Sequence, residues 1–164
     1  MIKNLNVNIS EAIHYTGEWE IKIKNVETGE IKIEKAKNRI VNNGLDELIK
    51  GLVYSTYNDL KIRKLAVGSS STAISNYDTA LYGETFRCSP SVEPYHYSVG
   101  TVATEFVIQT TEANGTIEEI GIFISPTATV TANTGILLSR MLWHHIKTSA
   151  EEITFTRLDS MQRV

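Results

Sequence analysis

The run Glu18-Trp19-Glu20-Ile21-Lys22-Ile23-Lys24, a turn at Glu27-Thr28-Gly29-Glu30, and then Ile31-Lys32-Ile33-Glu34 decide the fold. Apolar and charged residues alternate with a period of two. On a strand that places Trp19, Ile21 and Ile23 on one face and the charges on the other. Two such runs around a Gly turn read as an antiparallel hairpin with one wet face. Upstream, residues 1–16 are either an edge strand or an arm that reaches a neighbouring subunit.

Downstream, Leu45, Leu48, Ile49, Leu52 and Val53 fall at i, i+3, i+4, i+7 and i+8. This is one helical stripe, with Asn42 or Asn43 able to cap it and Asp46 and Glu47 suited to the first turn. The expectation is one short helix over about residues 44–55. The β pattern returns at Ile62–Val67, which ends at Gly68. Asp78-Thr79-Ala80-Leu81 suits a single helical turn and 84–89 a short strand, with Pro90 and Pro94 marking a loop or sheet edge. Val102, Thr104, Phe106 and Ile108 share a strand face. Asn114-Gly115 then reads as a hairpin turn, because both residues tolerate positive φ. The strand 117–124 carries Ile120, Ile122 and Ile124 on one side and Ile117 and Phe123 on the other, so it reads as central and covered. An uncharged loop, 126–135, precedes strands at 136–146 and 153–158. The sum is eight or so short strands with one early helix. That pattern predicts a mainly β chain, an antiparallel, jelly-roll-like β-sandwich forming a single domain over 1–164.

Composition bounds the function. For 164 residues, area scaling gives about 8,000 Å² of folded surface against about 26,000 Å² extended, enough burial for one ordinary core. Hydrophobic residues are 41% and charged ones 21%, with a net charge of −3, which argues against disorder and against a basic nucleic-acid footprint. No apolar run is long enough for a membrane span. The N-terminus lacks an apolar signal core, so no secretory signal is expected. The single cysteine, Cys88, fits folding in a reducing cytosol.

Chemistry-bearing motifs are weak. Gly68-Ser69-Ser70-Ser71-Thr72 lacks the second Gly and the Lys of a phosphate loop and reads as a flexible surface loop. His144 and His145, adjacent on a strand, point to opposite faces and cannot grip one ion. One imidazole is expected at an interface or in a polar pocket and the other in solvent. Glu118-Glu119 and Glu151-Glu152 diverge for the same reason and read as solvated hairpin ends or salt-bridged edges. Cys88, beside Arg87, reads as a small buried hydrophobe. No catalytic residue, metal site or cofactor is expected. The candidate partner-binding residues are Tyr95 and Tyr97, in an exposed aromatic stretch after Pro94, and Val130 and Asn133 in the uncharged loop.

Five pieces occur in order: Asn43-Gly44-Leu45; Leu65-Ala66-Val67-Gly68; Asp78-Thr79-Ala80-Leu81 with Glu84 and Arg87; Glu119-Ile120-Gly121-Ile122-Phe123; and Leu137-Leu138-Ser139-Arg140. Together, over about residues 39–158, they resemble a group of bacteriophage virion proteins of the tail-fibre, tail-collar and baseplate-associated type. That group often carries a second Gly where this chain has Ser70. The resemblance implies a non-enzymatic structural component of the virion, assembled in the host cytoplasm. Its partners would be other virion proteins and copies of itself, with a trimer preferred by analogy to fibre proteins. A receptor- or glycan-binding fibre-tip module, or a capsid decoration protein, is the alternative. Glu84 and Arg87 are placed to pair with each other or with Glu119 and Arg140. Gly44 is expected to let the chain turn into the helix, and Gly68 to avoid crowding the following loop.

Overall fold

In the computed structural model, which describes residues 13–51 and 60–163, two five-stranded antiparallel sheets pack as a sandwich with one short helix. The strands are β1 (Ile13–Asn25), β2 (Ile31–Lys37), β3 (Arg39–Ile40), β4 (Ile62–Gly68), β5 (Glu84–Cys88), β6 (Val92–Ser98), β7 (Thr101–Ile108), β8 (Gly115–Ile124), β9 (Ile136–Lys147) and β10 (Glu151–Arg163). The first sheet has the order β2-β1-β10-β7-β6 and the second β3-β9-β8-β4-β5. The opening hairpin is as read: β1 and β2 pair antiparallel, and Gly29 in the turn has φ +76°. Residues 1–12, most of the segment read as an edge strand or an arm, lie outside the described set, while 13–16 begin β1, which is an inner strand and not an edge.

The alternating residues meet in the space between the sheets. Trp19, Ile21, Ile23, Phe106, Ile108, Ile153 and Phe155 come from the first sheet, and Leu65, Val67, Ile120, Ile122, Ile124, Met141 and Trp143 from the second. Phe155 stands edge-on to Trp143, with ring centroids 5.7 Å apart, and to Trp19 at 6.2 Å. Each such buried side chain contributes about 1.5–3 kcal/mol of transfer free energy.

Three expectations change and a fourth is narrowed. Asn114-Gly115 is not a hairpin turn. Gly115 has φ +117° and Ala113 φ +48°, but β7 and β8 belong to different sheets, so the segment is a crossover. Lys147 holds it, its ammonium donating to Asn114 Oδ1 at 2.9 Å and Thr110 O at 3.3 Å. Burial lowers the Lys147 pKa. Second, Ile117 sits with Ile120 and Ile122 in the inter-sheet core, because the register shifts between Ile117 and Glu119. Third, residues 78–81 form no helical turn: the turn lies just before them, where the Asp78 amide donates to Ser75 O at 3.2 Å and the Asp78 carboxylate accepts from the Ser75 amide at 3.0 Å. Fourth, of the loop or sheet edge that Pro90 and Pro94 marked, the aromatic stretch is the sheet edge: it is β6, the outermost strand of the first sheet, with Pro94 inside it.

The helix, α1 (Asn42–Lys50), starts two residues before the expected position, after Val41 and without a side-chain cap. Its first turn contains no acidic residue. Its buried face is Gly44 and Glu47, while Leu45 and Ile49 are exposed. A Cβ on Gly44 would lie 2.4 Å from Leu138 O. Close backbone approach to β9, rather than the apolar stripe, therefore sets which face is down. The predicted continuation past Gly51 falls on residues 52–59, outside the described set.

Candidate functional site: a buried ion network and the surfaces it holds

β8 has apolar residues on both faces, and both are covered. Between the sheets lies the main core. On the outer face of the second sheet, Ala66, Phe123 and Leu137 form a second cluster with Val41, Leu81 and Ala128. Among the described residues no helix covers that face. Two loops do, 69–83 and 125–135, and buried charges fasten them.

Arg140, fully buried on β9, lies at the centre. Its Nε donates to Glu119 Oε2 at 2.8 Å, Nη1 to Asp78 Oδ2 at 3.0 Å, and Nη2 to Thr72 O at 2.8 Å. Glu119, also fully buried, accepts in turn from the backbone amides of Gly83 at 2.7 Å and Tyr82 at 3.3 Å. Asp78 accepts from the Tyr82 hydroxyl at 3.2 Å, and the Arg140 guanidinium lies 4.9 Å from the Tyr82 ring centroid. Every charge here has several partners, as burial requires. Close packing enforces the same arrangement. A Cβ on Gly68 would lie 2.6 Å from both Glu119 Oε1 and Gly83 O, and one on Gly121 2.8 Å from Leu81 Cδ2. The loop after Gly68 is thus tied down and is not the flexible surface loop the sequence suggested. Glu119 is neither solvated nor at an edge.

A second fastener holds the loop after β8. Arg87 pairs side-on with Glu84, Nε to Oε1 at 2.5 Å and Nη2 to Oε2 at 2.8 Å. Its Nη1 donates to Thr129 O and Thr134 O, both at 3.1 Å, and the guanidinium lies 4.6 Å from the Phe123 ring centroid. Asn133, at φ +54°, donates its backbone N–H to Glu84 Oε2 at 2.8 Å. Its side-chain amide bridges both backbone groups of Leu81, at 2.9 and 3.0 Å. Of the options read from the sequence, Glu84 with Arg87 is the pairing present; neither partners Glu119 or Arg140, which pair with each other instead.

Between the sheets a third arginine, Arg157, is fully buried against Asp159, Ser139 and the Trp19 ring, 5.3 Å away. Burial works against its charge, but Asp159 and Tyr15 keep its pKa raised. Burial likewise pushes up the pKa of Tyr15, whose hydroxyl donates to Asp159. Asn38 completes the group. With its amide oriented to satisfy both ends, Oδ1 accepts from Arg157 Nη1 at 3.1 Å. Beyond Tyr15 and Asp159 the sheets diverge around an apolar recess of about 390 Å³, lined also by Ile62, Val102, Leu138 and Met161. Sequence reading missed Arg157 and Asp159. Asp159 lies past the end of the strand expected at 153–158, which runs on to Arg163, and nothing marked the inward face as charged.

These buried groups act as fasteners: each ion's partners are other protein groups. Among the described residues no three His, Cys, Asp or Glu side chains are grouped to hold a metal ion. His144 pairs with Glu118 at 2.9 Å in solvent, and His145 with Glu151 at 3.2 Å while stacking on Trp143. Cys88 is half-buried, and desolvation pushes its thiol pKa up to about 12, which favours the protonated thiol.

The four candidate contact residues divide between two surfaces. Tyr95 and Tyr97 lie together on β6, ring centroids 6.5 Å apart, 51% and 61% exposed. Val130, 82% exposed, and Asn133 lie on the fastened loop of the other sheet. Fold and site together define an antiparallel two-sheet sandwich whose outer loops are locked by buried arginine–carboxylate pairs. No family model, curated protein or solved structure matches the chain.

Proposed function

We propose that this chain is a non-enzymatic structural component of a bacteriophage particle, in the tail, baseplate or fibre-attachment apparatus, acting through protein–protein contacts. One observation carries the reading. The residues of the resemblance are those that build the fasteners: Gly68, Asp78, Glu84, Arg87, Glu119, Gly121 and Arg140 lie in or against the two ion networks. A chain whose strongest motif fixes loop shape is suited to presenting rigid surfaces to neighbours. Contact by strand addition fits the regular edge at β2 better than the one at β6, where Pro94 and two register shifts blunt the edge.

Mass spectrometry of purified particles, with immunogold labelling, tests the assignment. Recovery of the chain at a stoichiometric copy number per particle is expected, and its absence from particles overturns the reading. Light scattering on the purified protein at high concentration tests self-association, with a trimer expected. The receptor- or glycan-binding alternative draws its support from the surface around Tyr95 and Tyr97.

A further inference from the structure

We propose that the outer face of the first sheet carries a binding cleft for an uncharged saccharide, between Tyr95 and Tyr97 on one side and Glu20 and Lys35 on the other. The inference rests on the chemistry of the cleft and stands whether or not the chain is part of a virion. The depression has a volume of about 200 Å³. Its floor is Ala103 and Leu158, directly opposed across β7 and β10, with Tyr95 opposite Ala103 on the next strand. Glu18 lies opposite Leu158, and Glu20 lies opposite both Thr156 and Lys35. One continuous surface thus runs from tyrosines through an aliphatic floor to charges.

Most of the polar groups at its rim are unused. Glu18 is paired with Lys37 at 3.4 Å. Glu20 and Lys35, although cross-strand neighbours, make no ion pair among the described residues, and neither tyrosine hydroxyl has a hydrogen-bond partner there. The two rings are tilted 55° to each other and half exposed, so each offers a face or an edge to a ligand. A pyranose ring has the matching anatomy, with an apolar C–H face for an aromatic ring and a girdle of hydroxyls that both donate and accept. Carboxylate, ammonium and phenol groups around an aliphatic floor satisfy both halves. Glu18 is met by Lys37 and Glu20 faces Lys35, so the wall carries no net charge to draw a phosphate, a sulfate or an acidic sugar. A protein partner usually covers about 800 Å² on each side, far more than this cleft presents.

Saturation-transfer NMR on the intact chain provides the test. The probes are methyl α-glucoside, methyl α-mannoside, methyl β-galactoside and N-acetylglucosamine, each at ~10 mM, with sialic acid as the acidic comparison. Transfer to at least one neutral sugar and not to sialic acid is expected. Tyr97→Ala should weaken that binding by ~10-fold, the size of one lost aromatic contact. Glu20→Gln, which leaves both rings in place, should weaken it with an unchanged melting curve. Transfer to none of the four neutral sugars, or binding equal to wild type in both variants, overturns the proposal. Neither result affects the particle assignment, which depends on recovery from virions.

Discussion

Replacing Arg140 by Met keeps the apolar stem of the side chain and deletes the charged guanidinium. Glu119 and Asp78, whose side chains are 0% and 1% exposed, then remain buried without their cation. Removing one partner of a buried pair costs ~3–5 kcal/mol, chiefly because the other charge stays desolvated. Here two carboxylates are stranded, and Thr72 O loses its donor at 2.8 Å, so the upper part of that range applies. Against a typical total of ~5–15 kcal/mol this is a large fraction, and at ~2–4 °C per kcal/mol it lowers the melting temperature by about 10–20 °C. Urea unfolding followed by circular dichroism measures the loss. Hydrogen exchange shows where it falls, with amides of the 69–83 loop and those of Tyr82 and Gly83 losing protection before the β1–β10 core. A loss below ~1 kcal/mol, or one spread evenly over both sheets, would refute the account of Arg140 as the fastener.

Gly68→Ala forces a methyl group against Gly83 O and Glu119 Oε1 and should cost ~1–3 kcal/mol in the same urea assay. Arg87→Ala strands Glu84, whose side chain is 2% exposed. It should cost ~3 kcal/mol and expose the 126–135 loop to limited proteolysis while leaving the 69–83 loop protected. Glu34 accepts from Lys32 at 2.7 Å and from the Trp143 indole N–H at 2.8 Å, which together hold its carboxyl below the usual 4.5. A depressed folded value means that its stabilisation is complete above about 4.5 and is lost as the pH falls through the folded value. In Glu34→Gln this part of the acid limb should flatten, as read by tryptophan fluorescence during acid unfolding.

The opening hairpin was legible because a period of two leaves Trp19, Ile21 and Ile23 only one way to face a core. The pairing of Glu84 with Arg87 was legible as one option, since opposite charges three residues apart can meet; that of Glu119 with Arg140 was not, because it depends on the register of β8 against β9. The Asn114-Gly115 turn was misjudged. Its backbone preference is local and is met, but the destination of the following strand depends on which sheet can cover both of its faces. The helix face was misjudged for a related reason. An apolar stripe reports transfer free energy, whereas the steric demand at Gly44 arises only when Leu138 is brought against it.

Alternation, turn residues and composition therefore determined the class: many short antiparallel strands, one helix, one core. These are consequences of side-chain direction and burial, and they act within a few residues. Tertiary structure alone decided that the loops after β4 and β8 close over the second sheet, that Arg157 and Asp159 lie between the sheets, and that Tyr95 and Tyr97 face Glu20 and Lys35. Those contacts join residues far apart in the chain. Their energies depend on desolvation and on distances of a few ångströms, which no local pattern encodes.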